Sequence, residues 1–153
     1  MNYFHASQTK GIKILEPKIS NHNVPLIYFS DKRENVLVYL SNAIEKFCQE
    51  NHFEYDGIWH KWGSYGFEKD GKLRFEEYYP HALEDTYKGV SGYIYSCKQI
   101  TPYPKLDLKI PNVHITSQQT AVDFCEFIPD AYAELIKAEQ EGKITILRYD
   151  SFI

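Results

Sequence analysis

Paired cysteines are absent from this chain: Cys48, Cys97 and Cys125 are scattered, with no short spacing between any two. That distribution argues against a zinc knuckle or a secreted disulfide framework and favours reduced, mostly buried thiols in a cytoplasm. Long apolar runs are absent as well. No basic region followed by an apolar stretch opens the sequence, and none approaches the ~18 apolar residues that a membrane span needs. Positive charge is in deficit, 17 Lys+Arg against 21 Asp+Glu, for a formal net charge of -4 and a pI near 5.9. Such a chain has no general attraction to phosphate backbones, which disfavours nonspecific nucleic-acid binding. His52, His60 and His81 lack metal-ligand spacing, so no metal is assigned. No glycine-rich loop ends in Lys-Ser/Thr, no cysteine sits with a histidine in a recognised nucleophile motif, and no repeat or low-complexity stretch occurs. The expectation is a soluble cytoplasmic protein, off the membrane.

Aromatic residues are what the chain has in excess. Thirteen Tyr and nine Phe stand among 153 residues, enough chain for one domain over 1–153 with a continuous core and no metal or disulfide staple. A phenol ring offers an apolar face and a polar tip, so these residues suit either a core or the lining of a wide cleft.

Residues 2 to 7 and 12 to 15 read as short strands separated by Gly11, and Leu26 to Phe29 reads as an inner strand after a turn over Ser20 to Pro25. Asp31 and Glu34 have the spacing of a capping box, and Val36, Leu40, Ala43, Ile44 and Phe47 recur at helical spacing to about residue 50. Asp70-Gly71 between alternating flanks predicts a hairpin with both residues at positive φ. Tyr93 to Cys97 reads as an interior strand; Pro102, Pro104 and Pro111 mark residues 101 to 112 as loop or extended edge. Val113 to Thr116 and Ala121 to Phe127 are short strand candidates. Pro129 at or near the start, with Asp130 in the first turn, opens a helix through Glu141 that stops at Gly142, and Lys143 to Tyr149 alternates as a last strand. Strands, helix, many strands, helix, strand is an α+β order with a mixed or antiparallel sheet, because regular strand-helix alternation is missing.

Two stretches carry a resemblance. Tyr-Phe-His-Ala-Ser at 3 to 7 resembles the first strand of the ADP-ribosyltransferase superfamily, in the branch of diphtheria toxin and the poly-ADP-ribose polymerases. Ile27-Tyr-Phe-Ser-Asp31, followed by Tyr39, resembles the same branch's second motif, in which a strand tyrosine and a helix tyrosine enclose the nicotinamide ring of NAD. The likeness covers about the first third of the chain. It implies a largely antiparallel split sheet with two main helices, NAD as substrate, and a protein or small-molecule acceptor. By the same likeness His5 would bind a ribose hydroxyl, Ala6 would hold the carboxamide through its backbone, and Ser7 would add a hydroxyl nearby; the family has glycine where Ala6 stands.

Residue chemistry fits such a site. A cationic nicotinamide stacked between Tyr28 and Tyr39 gains a cation–π term of about 0.5–2 kcal/mol. At about 100° per residue, Tyr39 lies roughly 90° from the centre of the apolar stripe, at its flank. The family's third element is a late-strand glutamate that stabilises the oxocarbenium-like cation of glycosidic cleavage. Its expected position, in Val113-His-Ile-Thr-Ser117, holds His114; Glu126 is the other candidate. An imidazole accepts from a ribose hydroxyl when neutral and opposes the cation when protonated.

Three functions compete: an NAD-binding transferase or NAD hydrolase; a noncatalytic interaction domain of the same fold using the aromatic region Trp59 to Tyr79; and a transferase acting on RNA 2′-phosphate, which the acidic pI counts against. A plainer reading makes His5 a satisfied strand residue and Tyr28 and Tyr39 boundary aromatics. Glu76 and Glu77 point to opposite faces if they lie on one strand, and are expected to be a solvated hairpin end. Trp59, Trp62, Tyr65 and Phe67 are expected to form a satellite core under that hairpin.

Overall fold

A computed structural model describes residues 1–19, 23–40 and 63–149. The helical stripe beyond Leu40, the residues Cys48, His52, Trp59, His60 and Trp62, and the start of the turn at Ser20 lie outside the described residues.

Strands β1 (Tyr3–Ser7), β3 (Ile27–Ser30), β6 (Gly92–Cys97), β7 (Val113–Thr116) and β9 (Phe124–Ile128) form an antiparallel sheet in the order β7-β3-β1-β6-β9. A second sheet orders β10 (Ile144–Leu147), β5 (Leu73–Glu77) and β4 (Gly63–Phe67), with β10 parallel to β5. β2 (Ile14–Leu15) and β8 (Thr120–Ala121) make a small antiparallel ribbon. A 3-10 segment spans Arg33–Leu40, and the α-helices are α1 (Ala82–Tyr87) and α2 (Ala131–Gln140). The architecture is α+β with a split, mostly antiparallel sheet.

The main core lies between the two sheets. Ile94 and Ile128 from the larger sheet meet Leu73, Phe75, Ile144 and Ile146 from the smaller, with Leu37, Leu40, Leu83, Tyr87 and Leu135 of the helical segments between them. On the other face of the larger sheet, Leu15, Ile27, Phe29, Tyr95 and Cys97 form a second cluster. Tyr95 shows how a buried phenol is accommodated there: its hydroxyl donates to the Thr9 carbonyl at 2.5 Å and accepts from the Ile12 N–H at 3.2 Å.

Helix α2 follows its sequence signals closely. Asp130 is the N-cap itself, accepting from the N–H groups of Tyr132 and Ala133. At the other end Gly142, at φ +74°, donates to the Glu139 carbonyl while Lys143 donates to that of Ala138, the paired bonds of a Schellman motif. The hairpin forms where Asp70-Gly71 predicts it, but by a different turn. Gly71 donates to Glu68 and Glu68 to Lys72, a three-residue loop in which Gly71 takes positive φ and Asp70 does not.

Three local expectations are corrected. Asp31 does not cap a helix, because Asn112 and His114 occupy its carboxylate, at 2.8 and 2.9 Å. The chain after it forms the 3-10 segment, in which Val36, Leu37, Val38 and Leu40 are all buried, so this described part packs on nearly every side, while Ala43, Ile44 and Phe47 of the expected stripe lie outside the described residues. Glu77 is not a solvated hairpin end: it is buried, and its carboxylate accepts from the Leu83 N–H at 2.9 Å and the Tyr149 N–H at 3.3 Å. It thereby satisfies an N-terminal donor of α1, a helix whose own N-cap position, His81, makes no side-chain bond. The strand expected over Ala121 to Phe127 is broken at Val122 and Asp123, where Val122 pairs with Lys13 and Asp123 with Ser96.

Candidate functional site

The two sheets diverge over a cleft of about 780 Å³. One wall comes from β1 and β3, through His5, Ala6, Tyr28 and Ser30; the 3-10 segment adds Asn35, Val36 and Tyr39. The opposite wall is Tyr65, Gly66 and Phe67 of β4, and the segment Leu108 to Pro111 ahead of β7 completes it. His5, Ala6, Tyr28 and Tyr39, noted in the sequence for one site, therefore share one cavity.

The way His5 reaches the cleft depends on the strand pairing. β1 and β3 form a single ladder pair, Phe4 with Ser30. Continued at that register, His5 would oppose Phe29 and Ala6 would oppose Tyr28, which puts the His5 and Tyr28 side chains on opposite faces. The β1–β6 ladder, which pairs His5 with Tyr95, keeps the imidazole on the face of Phe29 and Tyr95. Where the β1–β3 ladder ends, its Nδ1–H donates to the Tyr28 carbonyl at 2.9 Å, and His5 borders the cleft at that gap. The ring packs edge-on against Phe29 at 6.0 Å.

This bond fixes the chemistry of the imidazole. With Nδ1 as donor to a carbonyl, the neutral ring carries a lone pair on Nε2. Burial lowers the His5 pKa from its ordinary value; the Tyr28 carbonyl works in the other direction and the charge of Lys18 adds to the lowering. His5 thus presents a neutral acceptor at the split between strands.

Tyr39 is half-exposed and meets Tyr65 at 90°, ring centroids 5.8 Å apart and hydroxyls 3.5 Å apart. Packing around the Tyr39 hydroxyl, then the neighbouring Tyr65 hydroxyl, raises its pKa, so the phenol stays neutral. Tyr65 in turn meets Phe67 edge-on at 6.2 Å. Tyr65 and Phe67 thus belong to the cleft wall, and the expected satellite core under the hairpin is not where they sit. Asn35 is fully buried; its Nδ2 donates to the Gly71 carbonyl at 2.9 Å and ties the hairpin turn to the cleft.

The other candidates are engaged elsewhere. Ser7 accepts from the Thr9 N–H at 3.1 Å. His114 lies on the sheet face of Phe29 and Tyr3, its ring 5.0 Å from that of Tyr3 and its Nε2 bonded to Asp31. Glu126 holds Arg33 in a two-point ion pair at 2.8 and 2.7 Å, which lowers its pKa, and Arg33 also reaches Glu134 at 3.4 Å. Among the described residues lining the cleft, none is a carboxylate. Among the described residues no three His, Cys, Asp or Glu side chains gather as a metal-ligand set, and no helix is long and apolar enough to cross a membrane.

The sequence marks Tyr65 and Phe67 only as part of an aromatic region that could bind a partner, separate from His5 and Tyr28, and it does not point to Asn35 or to the wall over Leu108 to Pro111. Proline density signals a loop there, but not what the loop covers. No family model, curated protein or solved structure matches the chain.

Proposed function

We propose that this protein binds a nucleotide of the NAD type in the cleft between its two sheets, in the manner of an ADP-ribosyltransferase-like domain. The observation that carries the reading is the meeting of a neutral, oriented His5 with Tyr28 and the Tyr39–Tyr65 pair around one cavity of about 780 Å³. A volume of that order suits a ligand with one planar ring and attached sugar. Phenol faces suit a flat cationic ring, by about 0.5–2 kcal/mol through cation–π attraction, and the Nε2 lone pair suits a ribose hydroxyl as donor.

Binding is favoured over transfer. Cleaving the glycosidic bond of NAD develops positive charge on the ribose, which calls for preorganised negative charge. Glu126 is committed to Arg33 and His114 to Asp31, and no described lining residue is acidic. The noncatalytic reading of the fold is therefore the one we adopt, with the aromatic wall of Tyr65 and Phe67 serving the ligand.

Calorimetric titration of NAD and nicotinamide against the wild-type chain, His5→Ala and Tyr28→Ala tests this, with free nicotinamide assayed in parallel. The expected result is saturable binding below millimolar concentration, weakened about tenfold or more in each variant by loss of a hydrogen bond or a ring contact, and no nicotinamide release above the blank. Absence of binding at millimolar ligand overturns the proposal. Release that depends on His5 would replace it with the transferase reading.

A further inference from the structure

The loop ahead of β7 places a cation in an otherwise uncharged cavity. Lys109 brings the one permanent charge among the described lining residues, in a protein whose net charge is -4. No described acidic side chain pairs with its ammonium; its backbone N–H donates to the Asp107 carboxylate at 2.9 Å. Lys109 also adopts φ +56°, and Asn112, three residues on, φ +67°. Two non-glycine residues in the left-handed region within four positions carry backbone strain, and such strain persists only where the surroundings enforce it.

Those surroundings are explicit. The Asp31 N–H donates to the Asn112 carbonyl at 3.0 Å, and the Asn112 amide donates to the Asp31 carboxylate at 2.8 Å. His114 holds the second oxygen of that carboxylate. Val113 donates to the Ile110 carbonyl at 3.3 Å, closing the turn over Pro111. On the far side, Gly71 comes so near that an added Cβ would lie 1.9 Å from the Asn112 Oδ1. The loop is clasped by β3 and by the hairpin at once, and it presents its lysine to the cleft from a fixed backbone.

We propose that Lys109 is the phosphate-recognising residue of the cleft, so that the occupant lies with its planar ring toward Tyr28 and the Tyr39–Tyr65 pair and its phosphate at Lys109. The assignment rests on the ring-binding reading above and adds to it a ligand class, phosphorylated nucleosides over free nucleosides, and an orientation. Lys109 is exposed where it lines the cleft beside Ile110, Pro111 and Phe67, open to an incoming ligand, and a charge-assisted bond from its ammonium to a phosphate is about twice as strong as a neutral one. Lysine acts there as a point charge that needs no bidentate geometry.

The test compares nicotinamide riboside, its 5′-phosphate and inorganic phosphate by calorimetry, on the wild-type chain, Lys109→Gln and Lys109→Arg, with circular dichroism confirming that each variant is folded. The 5′-phosphate is expected to bind wild type about tenfold or more tightly than the riboside at low salt, with the preference falling as ionic strength rises. In Lys109→Gln the ratio of the two affinities should approach one, and Lys109→Arg should restore it. A ratio that is the same in Lys109→Gln as in wild type, or a wild-type chain that binds riboside and 5′-phosphate equally, overturns the phosphate assignment while leaving the ring site standing. Failure of both nucleotide ligands to bind wild type overturns the ring site and this assignment together. Inorganic phosphate that competes as strongly as the 5′-phosphate also overturns it, because an anion alone would then account for the binding.

Discussion

His5 shows how one side chain does two jobs at a strand split. Its Nδ1–H replaces a backbone donor at the Tyr28 carbonyl, so the broken β1–β3 ladder leaves no orphan there, and its Nε2 is left to accept. Burial disfavours the imidazolium, and this has a consequence for stability. The unfolded chain takes up a proton at its ordinary pKa near 6.5, whereas the folded chain resists doing so until a lower pH. The contribution of neutral His5 is therefore complete above about pH 6.5 and declines as pH falls toward the depressed folded value. Urea melts at steps from pH 7.5 to 5.5 should show this loss in wild type, and His5→Gln, which cannot titrate, should give a shallower dependence over the same interval. Ligand binding is a property of the folded chain, so it should persist through about pH 6.5 and fall only as pH approaches the depressed folded value, since an imidazolium has no acceptor to offer.

At the scale of elements, the elements held by local chemistry are those readable in the chain. The Asp130 cap and Gly142 stop bracket α2, and Asp70-Gly71 marks the hairpin, because each motif is complete within a few residues. Helix α1 is different. Its six residues have no side-chain cap at His81, and the carboxylate that serves it comes from Glu77 at the end of β5, a partner only the folded hairpin brings near. The same contrast separates two glycines. Gly71 at φ +87° faces Asn112, while Gly142 at φ +74° faces open space. Gly142→Ala should cost about 1 kcal/mol, the backbone term alone, and Gly71→Ala about 2 kcal/mol or more, since the Asn112 amide held by Asp31 must also move. Chemical denaturation should rank the two variants in that order. Gly71→Ala should in addition weaken nucleotide binding, by displacing the loop that carries Lys109, which Gly142→Ala should not do.

At the scale of the whole molecule, Arg33 links parts distant in sequence: the start of the 3-10 segment, β9 through Glu126 and α2 through Glu134. The guanidinium lowers the Glu126 pKa through its hydrogen bonds and then through its charge, while burial works against that lowering. A carboxylate with a depressed folded pKa stabilises the fold above its unfolded pKa, near 4.3 to 4.5, and the gain is lost as pH falls through the folded value. Side-chain exposures of 33% and 38% mean that solvent screens the pair. Glu126→Gln should therefore cost only about 0.5–1 kcal/mol at pH 7, and the difference from wild type should vanish below the folded pKa. Paired urea melts at pH 7 and pH 3 measure it.

By itself the sequence determined the α+β order, the place of the hairpin, α2 with its stop at Gly142, and a set of aromatic and histidine positions worth bringing together. Periodicity, caps and turn residues act over a few positions, so their meaning survives without the rest of the chain. Tertiary structure alone decided that Asp31 clasps Asn112 and His114 instead of capping a helix, that Glu77 is buried under α1, and that the residues after Arg33 form a 3-10 segment buried nearly all round. It also decided which candidates meet. His5, Ala6, Tyr28 and Tyr39 share a cleft with Tyr65, Phe67 and Lys109, whereas His114 and Glu126 are held by partners more than eighty residues away. The reason is that a polar side chain is recruited by whichever buried partner the completed fold brings within hydrogen-bonding distance, and sequence separation carries no record of that distance.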